Sequence, residues 1–252
     1  MNLSISPDGD TLMHEVAQRL LALCRAAIET RGVAHLALSG GNTPRTLFRL
    51  MADAEFASLY DWPHIHLWWS DERYVAKDSP ELNFNMAYTE LIRRVPIPPG
   101  NVHPTPVERT ASDAASEYEL EIMHVVGRDA LASADQMAGT PAFDMILLGL
   151  GENGHTASLF PGTLKNLPPG RLVVAHYVPQ VLMWRITFTP HLLNAARHVL
   201  FLVSGASKAD IVQQVLHGPY QPDVLPAQIV QPTPGDLSWM MDSAAASQLS
   251  QR

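Results

Sequence analysis

The chain has 252 residues, 46% of them hydrophobic and 17% charged, a balance that fits a folded globular protein and excludes a disordered or fibrous one. Its formal net charge of -8 argues against a nonspecific nucleic-acid binder, whose affinity comes from Lys and Arg neutralising phosphates. Cys24 is the single cysteine, so no intrachain disulfide or cysteine zinc cluster is expected; Asp8 and Asp10 precede any apolar stretch, unlike a secretory signal, and no apolar run suits a bilayer span, so the expected location is the cytoplasm.

In chain order, Thr11 to Thr30 has helical periodicity, with Val16, Leu20, Leu23 and Ala27 on one stripe, Asp10 as cap and Gly32 after the end. Cys24 reads as a small buried hydrophobe within it. Val33 to Leu38 predicts a buried strand that runs into Ser39-Gly40-Gly41-Asn42-Thr43-Pro44. Thr43 suits an N-cap and Pro44 the first position of a helix ending at Ala52. A second strand is expected at His64 to Ser70, then a polar loop Asp71-Glu72-Arg73-Tyr74 and a helix from near Asn83. Thr110 to Val126 reads as a helix and Gly127 to Pro141 as a weakly patterned connection. Strand patterns follow at Phe143 to Leu148, Leu172 to Ala175, Arg185 to Phe188 and His198 to Val203, with a helix at Ser207 to Leu216. Pro219 to Pro234 reads as irregular, and Ser238 to Asp242 as a short final strand before an alanine-rich tail.

Continuous apolar strands alternating with helices predict an α/β fold, a single Rossmann-like domain over 1–252 with a mostly parallel sheet covered by helices on both faces. Ligands of such sheets sit outside the carboxyl ends of the strands. Four polar motifs follow strand ends: Ser39 to Thr43, Ser70 to Arg73, Gly149 to His155 and Ser204 to Lys208. Their shared placement implies one site.

Gly149-x-Gly151-x-x-Gly154 formally matches a dinucleotide fingerprint, yet Pro161-Gly162 interrupts the helix it requires and no acidic residue follows between Asn153 and Ala209. Ser39 to Thr43 instead suits a phosphate, because free backbone N–H groups at a helix start attract anions. Lys208, in the first turn of a helix, is unfavourable against the dipole unless an anion lies between them. Lys165, Arg171, Arg185, Arg197 and Lys208 form a run free of carboxylates, expected either as a solvated face or as a field that attracts a small anion. His155, in a glycine-rich loop, suits a general base, whereas His64 and His66 alternate on a strand without an acidic or cysteine cluster and read as structural or surface residues, not metal ligands. Asp71 and Arg73 suit substrate hydroxyls, an imidazole partner or an anion.

These residues carry a resemblance. Leu38 to Pro44, Ser70 to Val75 with Asn83 to Met86, Gly149 to Gly162, Asn194 to Lys208 and Trp239 to Asp242 are similar to the family of glucosamine-6-phosphate isomerases and 6-phosphogluconolactonases. The resemblance implies hydrolysis of a 6-phosphogluconolactone without metal or organic cofactor, on a sugar-phosphate lactone as the small-molecule partner, with no nucleic acid or membrane and a monomeric chain. It further implies that Ser39, Gly40, Gly41, Asn42, Thr43 and Lys208 hold the phosphate with help from Arg185. His155 would be the acid/base residue, Asp71 and Arg73 would line the lactone, and Asn153 and Gly154 would contact substrate. The family pattern has Asp where this chain has Asn153, and Asn cannot act as a base, so the burden falls on His155 with Asp71 as candidate partner. A glucosamine-6-phosphate deaminase or isomerase, weakened by the same Asn153, and a noncatalytic sugar-phosphate sensor are the alternatives.

Overall fold

Strands buried on both faces carry apolar side chains at every position, and here successive residues enter opposite cores. In the computed structural model, which describes residues 1–131, 140–233 and 235–249, the elements are β1 (Asn2–Ser6), α1 (Gly9–Arg31), β2 (Ala34–Leu38), α2 (Asn42–Met51), the one-turn α3 (Ala54–Ala57), β3 (Ile65–Trp69), β4 (Asp71–Arg73), α4 (Asn83–Glu90), α5 (Ala111–Leu131), β5 (Met145–Leu148), β6 (Val173–Val178), β7 (Met183–Phe188), α6 (Pro190–Asn194), β8 (His198–Val203), α7 (Ala209–His217) and β9 (Asp236–Asp242). Six strands form a parallel sheet in the order β1-β9-β8-β5-β2-β3. Ile146, Leu148, Phe201, Val203 and Trp239 point into one core with α5 and α7. Met145, Leu147, Leu200, Leu202 and Met240 point into the other with α1 and α2. The α/β architecture with a covered parallel sheet is therefore as expected.

Several local expectations change. The first helix is capped by Asp8, whose side chain accepts from Thr11 N–H, while Asp10 lies within the first turn; Cys24 is buried there, and burial pushes its thiol up to about 12. Thr43 is not a cap: the second helix begins at Asn42 after Gly41 and has no side-chain cap bond. His64 falls in a 3-10 turn before β3, exposed and paired with Asp61 at 2.9 Å, whereas His66 on β3 meets His103 at 2.9 Å. The connection expected from Gly127 is helical as far as Leu131, and 132–139 lie outside the described residues.

The largest difference is a second sheet. Asp71 to Arg73 form a strand rather than a loop, and β4, β7 and β6 make an antiparallel sheet in that order. The segments at 172 and 185 belong to it and not to the parallel sheet. Strand β1, at the edge beside β9, was not expected either: Leu3 and Ile5 are exposed, so no buried run marks it.

Candidate active site

Strand β2 stands between β3 and β5, and the chain places β3 on one side of it and β5, β8 and β9 on the other. That reversal opens a crevice at the carboxyl ends of β2 and β5. The loops that start at Ser39 and Gly149 flank it, and a cavity of about 450 Å³ lies there. Ser39 to Thr43, Asp71, Arg73, His155, Arg185 and Lys208 all line it. Asn153 and Gly154 do not: Asn153 acts on His155 from behind, and the Gly154 carbonyl accepts from Ala227 N–H at 2.9 Å. Of the carboxylate-free run, only Arg185 and Lys208 reach the cavity. Arg171 pairs with Glu119 at 2.7 Å and Arg197 with Asp144 at 3.6 Å, because spacing along the chain does not say which sheet edge a cation faces.

Two glycines of the motifs make room for neighbours. A side chain at Gly151 would stand 2.0 Å from His155 Nδ1, and one at Gly40 would stand 1.9 Å from Asn83 Oδ1. The glycine pattern that mimics a nucleotide fingerprint thus seats an imidazole. Asn83, which the sequence reading did not place in the site, lines the cavity and donates from Nδ2 to the Asp71 carbonyl at 2.9 Å.

The His155 ring stacks on Phe160 with centroids 4.1 Å apart. Its Nδ1 lies 2.6 Å from Asn153 Oδ1, which also accepts the His155 backbone N–H at 3.2 Å. The backbone donor identifies that atom as the amide oxygen, which only accepts, so Nδ1 carries the proton and Nε2 the lone pair. Burial pushes His155 down to about 4, with Lys208, Arg185 and Arg73 acting in the same direction and Asp71 opposing them. The ring is neutral at pH 7. Asp71 is not its hydrogen-bond partner; its carboxylate accepts from Ser158 Oγ at 2.7 Å.

Side chains alternate along β4, so Asp71 and Arg73 share a face and Glu72 takes the other. Glu72 is buried and accepts from the backbone N–H groups of Arg73, Asn83 and Phe84 at 2.7, 2.8 and 2.9 Å. Burial pushes it up to about 7 against the pull of those donors. On the other face Arg73 pairs in register with Arg185 of β7. Like charges directly opposite on a ladder repel. Among the described residues neither has an acidic partner, and both Nε atoms are buried without an acceptor. Burial draws the Arg185 pKa down. An anion between them relieves both costs.

The two candidate phosphate turns complete the ring. The N-terminus of α2 has no side-chain cap, leaving its first N–H groups open toward the cavity. The Ser204 turn is fixed by Asp242, whose carboxylate accepts from Ser204 Oγ, from Gly205 N–H at 2.9 Å and from Ala245 N–H at 2.7 Å. Asp242 ends β9, far along the sequence from the turn it holds.

Comparisons with known proteins agree with the fold. Residues 7–239 match the model of the family described as glucosamine-6-phosphate isomerases/6-phosphogluconolactonase. The chain is 40% identical over 224 residues to a 6-phosphogluconolactonase of Synechocystis sp., covering 88% of each chain. It is 34% identical over 249 residues to one of Nostoc sp., covering 98% of each. Its fold superposes on a 6-phosphogluconolactonase from Trypanosoma cruzi with a TM-score of 0.84 and 27% identity, over 99% of this chain and 97% of that one.

Proposed function

The chain belongs to the glucosamine-6-phosphate isomerase/6-phosphogluconolactonase family, and from that premise we propose that it hydrolyses 6-phospho-D-glucono-1,5-lactone to 6-phospho-D-gluconate, the second step of the oxidative pentose phosphate pathway. The observation that carries the reading is a neutral His155, its Nδ1 proton given to Asn153, in a cavity ringed by Lys208, Arg185 and Arg73. A neutral base beside excess positive charge suits an anionic, electrophilic substrate that needs only activated water.

The phosphate is held by the open N–H groups of α2, with Ser39 and Thr43 hydroxyls and Lys208 around it, which fixes the lactone carbonyl against His155. His155 Nε2 takes a proton from water as the water oxygen bonds to C1. Arg73 stabilises the oxyanion, while Arg185 attracts the anionic substrate and then binds the new carboxylate. The C1–O5 bond breaks, Nε2 returns its proton to O5 to leave the C5 hydroxyl, and the carboxylic acid ionises. Asp71 accepts from a sugar hydroxyl. The reading includes action as a monomer and a cytoplasmic location, in which the buried Cys24 thiol stays reduced. Among the described residues no helix is long and apolar enough to cross a membrane.

The test is to generate the lactone with glucose-6-phosphate dehydrogenase and follow its loss against spontaneous hydrolysis. Acceleration by the wild type and a loss of about 10²-fold or more in His155→Ala are expected. No acceleration by the wild type removes the assignment, and ammonia release from glucosamine 6-phosphate would replace it with deamination.

A further inference from the structure

Asp71 and Arg185 are diagonal neighbours on one face of the β4–β7 ladder, since Asp71 pairs with Thr187 and Arg73 with Arg185. Such neighbours are within reach of long side chains, and opposite charges there attract. Yet the carboxylate and the guanidinium form no ion pair, and Arg185 Nε has no acceptor although the residue is only 9% exposed. Asp71 favours the charged guanidinium through space, yet no ion-pair contact forms between them.

The Asp71 carboxylate is bound instead by Ser158. Its Oγ donates to Asp71 Oδ2 at 2.7 Å, and it is wholly buried. Ser158 is itself fixed from two sides: its N–H donates to Thr187 Oγ1 at 3.1 Å, and its carbonyl accepts from His176 Nε2 at 2.8 Å. Thr187 is the ladder partner of Asp71, so anchor and anchored side chain share one frame. Between His155 at the cavity and Ser158 beneath it, Ala157 adopts φ 45°, a left-handed backbone that costs an L-residue energy and persists only where its surroundings impose it. The strained residue lies where the loop passes from lining the cavity to supporting it.

We propose that Ser158 is a positioning residue that holds Asp71 off Arg185, so that carboxylate and guanidinium both remain available to the substrate; this rests on the lactone-site reading of the two residues given above. Without the Ser158 hydroxyl the carboxylate swings onto Arg185, and the site loses a hydroxyl acceptor and an anion-binding cation together.

The experiment compares Ser158→Ala, Asp71→Ala and the double variant, reading kcat and KM for the lactone and the calorimetric Kd for 6-phosphogluconate, with thermal unfolding as the check on folding. Ser158→Ala is expected to raise KM and Kd about tenfold, with a smaller change in kcat. In the Asp71→Ala background, where no carboxylate remains to capture Arg185, the same substitution should change neither. An unchanged KM and Kd in Ser158→Ala, or effects that multiply in the double variant as for a purely structural defect, overturns the proposal. Should Ser158→Ala fail to fold, Ser158→Cys, similar in volume and a weaker donor, carries the same comparison with a smaller expected rise. Asp71→Ala with wild-type kcat, KM and Kd would overturn the role of Asp71 and this inference together. A wild type that binds 6-phosphogluconate without turnover would sink the lactonase reading and leave Ser158 tested by Kd.

Discussion

Asn153→Asp puts a carboxylate where an amide oxygen now accepts the His155 Nδ1 proton at 2.6 Å. The geometry is kept and only the charge changes. A unit charge ~4 Å from the imidazolium is worth ~4 kcal/mol at an effective dielectric of ~20 and ~1 kcal/mol in bulk water. Residue 153 is exposed, so the effect lies between those limits. At ~1.4 kcal/mol per pH unit that raises the His155 pKa by about one to three units, from about 4 to roughly 5 to 7. The sign follows from charge: a carboxylate favours the imidazolium, so the base is lost at higher pH than in the wild type. The direct measurement is an NMR titration of 13C-histidine-labelled free protein, with the His155 resonance identified by its absence in His155→Ala. The acid limb of kcat should rise with it, and the plateau above the limb should rise because a more basic imidazole accepts a proton more readily. A His155 titration that stays within about half a unit of wild type, or moves down, refutes the assigned tautomer and the role of Asn153 in setting it.

Three further outcomes follow from the same geometry. Arg185→Met removes a buried guanidinium that lacks an acidic partner; the apo protein should gain about 1–3 kcal/mol, raising Tm by a few degrees, while KM rises tenfold or more, as thermal unfolding and steady-state kinetics would read. Lys208→Ala should raise KM about 10- to 100-fold with a smaller change in kcat, and KM should become less sensitive to added salt than in the wild type. Gly151→Ala places a methyl 2.0 Å from the resting position of His155 Nδ1; kcat should fall about 10²-fold with native secondary structure retained by circular dichroism, since the ring must leave its seat.

The inner strands of the parallel sheet were legible because they are buried on both faces and read as apolar runs, whereas edge strand β1, exposed along most of its length, was not. Val33 to Leu38 and His198 to Val203 needed no tertiary information to be recognised. The four loops at strand ends were legible for a related reason: a parallel sheet sends its strands' carboxyl ends to one edge, so polar motifs after those strands converge. Strand β4 was not legible, because Asp71-Glu72-Arg73 is polar on both faces. One face lines a cavity and the other places Glu72 against backbone N–H groups, and neither leaves an apolar signature.

The sequence by itself determined the fold class and the edge of the sheet at which the polar motifs gather, and it named His155, Asp71, Arg73, Arg185 and Lys208 as candidates, all of which line the cavity. Only the tertiary structure decided how those residues relate. It put Arg73 opposite Arg185, gave Asp71 to Ser158 rather than to His155, gave His155 to Asn153, and sent Arg171 and Arg197 to carboxylates outside the cavity. The physical reason is that periodicity reports which face of its own element a residue occupies. Hydrogen bonds and charge pairs depend on which elements are neighbours, and Asp71 and Ser158, 87 positions apart, become neighbours only when the small antiparallel sheet folds over the carboxyl edge of the parallel one.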